Sequence, residues 1–112
     1  MKILIVDDNT LVHYLIKAMI EKNNFELFDA YNGEEAIDIA LNNELDLIFM
    51  DIMMPKLGGI EATKMIKKFS PDLPIISISA YPQNQETFGL FDDIIQKPFV
   101  TEQIINKIKK YQ

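Results

Sequence analysis

Five polar side chains in this sequence stand where they could work on one charged substrate: Asp7, Asp8, Asp51, Ser79 and Lys97. Each follows a short, largely apolar run, over residues 3–6, 47–50, 74–78 and 93–96. Carboxylates with no His or Cys among them form an all-oxygen donor set, which suits a hard divalent cation such as Mg²⁺. Mg²⁺ binds through one or two carboxylates plus phosphate oxygens. A carboxylate nucleophile, a cation clamp, a hydroxyl donor and a lysine are what phosphoryl transfer requires, because positioning and charge neutralisation carry most of that catalysis. Singly, each residue has a plainer role: helix cap, turn residue or solvated charge. Four strand ends that all bear suitable groups point to the chemistry instead.

The elements that must position these groups are legible as an alternation. Residues 47–50 are apolar without a break, as suits a strand buried on both faces, and the Gly58-Gly59 turn follows Asp51 closely. Residues 3–6 make a second such strand. Asn9 or Thr10 caps the helix after it, whose expected apolar stripe is Leu11, Val12, Leu15, Ile16, Met19 and Ile20. Residues 25–31 read as a more alternating strand at or near a sheet edge. Asn32-Gly33 then turns into a helix with Glu34 and Glu35 in its first turn, where the helix dipole favours acids. A third helix runs to Phe69 with Lys64, Lys67 and Lys68 on its wet side, and Ser70-Pro71 ends it. A fourth, of roughly two turns, is expected over 83–90, and a last amphipathic helix begins at Thr101. Five strands alternating with five helices predict a single doubly wound α/β domain over 1–112. Its five-stranded sheet is parallel, with helices on both faces and a short or irregular fourth helix. In such a sheet all strands point one way, so their terminal residues meet along one edge.

Composition narrows the functions. At 112 residues the chain has room for one core, and its 48% apolar content is that of a soluble globular protein. A formal charge of −6 offers no basic excess for direct nucleic-acid binding. The absence of cysteine excludes disulfides and thiolate chemistry. The start, MKILIVDD, is too short and ends wrongly for a signal peptide, and no stretch is long enough to span a membrane. The expected location is the cytoplasm.

The ordered set ILIVDDN, DLIFMDIMMPKLGGIEA, PIISISA and IIQKPF, spread over essentially the whole chain, resembles the receiver domain of two-component response regulators. The resemblance implies the flavodoxin-like strand order 2-1-3-4-5. It implies that Asp51 accepts a phosphoryl group from a phosphohistidine on a sensor histidine kinase or a histidine phosphotransfer protein. Asp8, Asp51 and the Met53 backbone carbonyl would hold Mg²⁺, with Asp7 helping through a water or as a second acid. Ser79 and Lys97 would bind the phosphoryl oxygens, and Lys97-Pro98 would be a cis peptide. Movement of Ser79 would signal to an output domain or downstream protein.

Two departures bear on that output. The family's switch position, three residues before the lysine, is usually aromatic and here is Ile94; the stretch between Ser79 and Lys97 is also short. Met53 and Tyr81 flank the route of water to an acyl phosphate, so their bulk is expected to slow hydrolysis. His13 is expected at the surface or facing a partner, because Asp51 already serves as acceptor. Most phenylalanines are expected in the core, with Phe88 and Phe91 as candidate partner contacts.

Three functions are consistent with these residues. One is a phosphoryl-accepting switch that catalyses its own phosphorylation and dephosphorylation without being a metabolic enzyme. Another is a degenerate receiver kept as a constitutive interaction module. The third, a Mg²⁺-dependent phosphohydrolase, lacks a suitably spaced second acid after Asp51. The chain is expected to be either a single-domain regulator or a piece of a hybrid kinase or larger regulator.

Overall fold

The structure is a computed structural model that describes residues 1–54, 56–80 and 89–112. The described residues form strands β1 (Lys2–Val6), β2 (Glu26–Ala30), β3 (Leu47–Asp51), β4 (Ile75–Ser79) and β5 (Asp93–Gln96). Between and after them lie helices α1 (Thr10–Ile20), α2 (Gly33–Asn42), α3 (Gly59–Phe69) and α4 (Thr101–Lys110). The sheet is parallel throughout, in the order β2-β1-β3-β4-β5. The expected short helix over 83–90 falls almost wholly in residues 81–88, outside the described residues, as do Tyr81 and Phe88.

Side chains alternate across a strand, so the unbroken apolar runs feed two cores at once. Ile3, Ile5, Leu47 and Phe49 pack with Ile16 and Ile20 of α1 and Ile104 and Ile108 of α4. Leu4, Val6, Ile48 and Met50 face the other way, onto Ala36 and Ala40 of α2 and Ala62 and Ile66 of α3. With helices on each side, the central strands β1, β3 and β4 carry almost no surface, whereas Ile94 and Gln96 leave one face of the edge strand β5 exposed.

Three expectations need correction. The stripe of α1 is narrower than predicted: Val12, Ile16 and Ile20 are buried, while Leu11 and Leu15 are exposed. Positions 12, 16 and 20 repeat every four residues along one line; 11 and 15 lie about 100° round the helix from it, toward solvent. His13 is not at the surface but 2% exposed, three and seven residues before the buried Ile16 and Ile20 and so on the same face. Phe91 is no partner contact; it is buried in the core beneath α2 and α3.

Candidate functional site

Register brings the acids together. Val6 lies opposite Met50, so Asp7 and Asp51 leave neighbouring strands side by side. Ile78 lies opposite Asp51, which sets Ser79 one step beyond on the other flank. At the far side, the Lys97 backbone N–H donates to the Ser79 carbonyl (2.7 Å), and the cis Lys97-Pro98 peptide follows. Asp7, Asp8, Asn9, Asp51, Met53, Ser79, Ala80 and Lys97 line one cleft of about 300 Å³ at the carboxyl ends of the strands. All five chemistry-bearing residues named from the sequence are in it. A larger hollow of about 620 Å³ opens at the other end of the sheet, among Ala40, Glu44, Asp72 and Pro74. It holds none of them, so chemistry and not volume locates the site.

Charge inside the cleft is unevenly matched. The Lys97 ammonium sits 2.9 Å from Asp7 Oδ2 but 3.8 Å from Asp51 Oδ1. Lys97 therefore chiefly neutralises Asp7. The Asp51 carboxyl is pushed up from 3.8 to about 6, first by burial and next by the Asp7 charge. Lys97 and the N–H of Met53, which donates to the carboxylate, pull it down, and Asp8 pushes it further up. One carboxylate oxygen from each of Asp7, Asp8 and Asp51 lies within 4.8 Å of the others. Two of these acids are buried and Asp8 is exposed. Three acids facing a single lysine leave negative charge uncompensated, and an all-oxygen set at that spacing fits a hard divalent cation. Ser79 is buried against the same space, whereas the Met53 side chain is 63% exposed at its mouth. Ile94 lies opposite Ser77 on the edge strand β5 and is 38% exposed, away from the cleft lining.

A sequence model described as the response regulator receiver domain matches residues 3–109. The chain belongs to that family. Phosphotransfer onto an aspartate is the known role of this family's domains. Among curated relatives, response regulator MprA of Mycobacterium sp. (strain KMS) is 31% identical over 112 residues, covering 96% of this chain and 49% of its own. Transcriptional regulatory protein SrrA of Staphylococcus aureus is 32% identical, with 96% and 46% covered. The receiver chain thus spans about half the length of these relatives. Among solved structures, response regulator TrrA of Thermotoga maritima, in complex with Mg(2+)-BeF, superposes with a TM-score of 0.90 at 31% identity. That likeness covers 99% of this chain and 98% of TrrA. A CheY-like receiver domain from Methanospirillum hungatei gives 0.91 at 26% identity, with 97% and 90% covered.

Supporting contacts around the receiver site escaped the sequence reading. The Asn9 N–H donates to Asp7 Oδ1 (2.9 Å) while the Asn9 side chain caps α1. His13 Nε2 lies 2.8 Å from the Asp7 carbonyl oxygen and Nδ1 lies 2.6 Å from Asp29 Oδ1. The spacing of His13 from Ile16 and Ile20 was the available signal for its burial. Nothing in the sequence pairs it with Asp29, because that contact depends on β1 and β2 lying side by side.

Proposed function

We propose that this domain takes a phosphoryl group onto Asp51 from a phosphohistidine of a sensor histidine kinase or histidine phosphotransfer protein, in a Mg²⁺-dependent reaction. An Asp51 carboxylate oxygen bonds to phosphorus as the phosphorus–nitrogen bond breaks. The bonding pair leaves with the imidazole, and the product is an acyl phosphate. Asp8, Asp51 and the Met53 backbone carbonyl would hold Mg²⁺, with Asp7 bound to it directly or through water. The ion supplies charge neutralisation for the phosphoryl oxygens. Lys97 and the Ser79 hydroxyl then bind those oxygens, Lys97 as a point charge. The domain modifies and unmodifies itself and turns over no metabolite. Its output passes to an attached domain or a downstream protein, and its place of work is the cytoplasm; no helix among the described residues is long and apolar enough to cross a membrane.

The observation carrying this reading is the under-compensated Asp51 carboxylate, 3.8 Å from Lys97 and grouped with Asp7 and Asp8. The kinship with TrrA, whose structure holds Mg(2+)-BeF, supports the choice of ion. The deciding experiment is labelling by a small phosphodonor such as acetyl phosphate, followed by intact mass. A gain of one phosphoryl group that needs Mg²⁺ and vanishes in Asp51→Asn is expected. A second reading, a constitutive interaction module, has Ile94 behind it, since no aromatic ring occupies the switch position. Absence of labelling would favour it, and steady hydrolysis of a phosphate ester would favour a phosphohydrolase.

A further inference from the structure

Every polar atom of Asp7 is held from a different part of the fold. Its N–H donates to the Ala30 carbonyl at the end of β2 (3.1 Å). Oδ1 accepts from the Asn9 N–H and Oδ2 from Lys97 Nζ, both at 2.9 Å. The remaining atom, the carbonyl oxygen, meets His13 Nε2 at 2.8 Å, and since a carbonyl only accepts, Nε2 carries the hydrogen.

The imidazole is itself fixed. Nδ1 meets Asp29 Oδ1 at 2.6 Å, and Lys17 holds the other oxygen of the same carboxylate. Burial raises the Asp29 carboxyl, but its bonds to Lys17 and His13 outweigh this and hold it below its usual value. Tyr31 stacks on the ring, with centroids 4.4 Å apart and planes 29° from parallel. With the ring 2% exposed, water does not compete for these contacts. A continuous chain therefore runs from Lys17 and Asp29 through the imidazole to the backbone of Asp7.

We infer that His13 is a positioning residue for the acidic cleft: its Nε2–H pins the Asp7 carbonyl and so fixes the turn that presents Asp7 and Asp8 to the cation. It touches neither metal nor phosphoryl group. A carboxylate–imidazole pair behind a ligand-bearing group orients that group, and loss of such outer contacts typically weakens metal binding by roughly 10–100-fold. The inference rests on the Mg²⁺-dependent reading proposed above.

Two near-isosteres separate positioning from mere packing. Gln places its amide nitrogen near the site of Nε2 and keeps the donor to Asp7. Asn places its amide near Nδ1, keeps the contact with Asp29 and loses the one to Asp7. Mg²⁺ titrations followed by backbone amide shifts, with urea unfolding in parallel, should find His13→Gln within about threefold of the parent affinity. His13→Asn should lose about tenfold or more while still unfolding cooperatively. An Asn variant that binds like the parent, or a Gln variant that loses as much as Asn, overturns the inference. If either variant fails to fold, the parent decides. It holds one histidine, so ¹⁵N-labelled histidine gives a single Nε2 resonance. That resonance should shift with the same midpoint as Mg²⁺ uptake, and an unmoved resonance beside shifting Asp51 and Asp8 amides overturns the inference. A parent that takes up no Mg²⁺ overturns the proposed function and this inference together.

Discussion

Burying Asp51 beside two further acids costs stability, and pH reveals how much. Well below pH 3.8 the carboxyl is protonated in folded and unfolded chains alike and contributes no difference. As pH rises from about 4 to 6, the unfolded chain, with its ordinary value of 3.8, gives up the proton first. The folded state therefore loses about 3 kcal/mol across that window and regains none of it above. Asp51→Asn removes the penalty. In urea at pH 7.5 without metal, the substituted protein should be more stable by about 1–3 kcal/mol, and the two curves should converge below pH 4. A constant offset at all pH values would contradict the charge account. Met53 makes a second point at this scale: it matters through its backbone, whose N–H steadies Asp51, while its side chain stands at the mouth of the cleft. Tyr81, expected to flank the water route with it, lies outside the described residues.

Among the elements, α3 is pressed unusually hard against the strand that carries Asp51. A Cβ built on Gly59 would stand 2.0 Å from the Asp51 carbonyl oxygen, closer than any real contact. The Gly59 N–H meanwhile donates to Ile52 (3.0 Å), so the helix start is tied there by its own backbone. Gly59→Ala must push β3 and α3 apart. A loss of about 2–3 kcal/mol is expected in urea, together with displaced Asp51 and Asp8 amide resonances. At the opposite edge, β5 is clamped to α4 through Asp93, which meets Lys107 and Lys110 at 2.8 Å each. Partial burial raises the Asp93 carboxyl, but these two lysines and the Ile94 N–H outweigh it and hold the group far below its usual value. A depressed carboxyl stabilises the fold above pH 4 and loses that contribution as pH falls below. Asp93→Asn should thus cost about 1–2 kcal/mol at pH 7, allowing for solvent around the lysines, and nothing at the foot of an acid titration. A difference that persists undiminished at pH 2 would assign the clamp to packing.

On the scale of the molecule, the acidic cluster and the sheet that carries it share a common unfolding equilibrium. A radius of gyration of 12.6 Å is that of one compact unit of this length, so a single cooperative transition is expected. Mg²⁺ bound only by the folded form should raise stability by about 2.7 kcal/mol at a hundred times its Kd, an increment that Asp51→Asn should largely abolish. The alternation of apolar runs with amphipathic segments sufficed to predict the doubly wound fold, because strands buried on both faces leave no choice of layer. It also placed Asp7, Asp8, Asp51, Ser79 and Lys97 at strand ends, since residue type and position along the chain are local properties. Which acid Lys97 approaches more closely, how far Asp51 is pushed toward neutrality, and that His13 stands behind Asp7 were decided only in three dimensions. Those facts depend on distances between segments remote in the chain: Lys97 is 90 residues from Asp7, and Asp29 is 16 from His13. Electrostatic coupling falls with spatial and not sequential separation, so no reading along the chain could rank it.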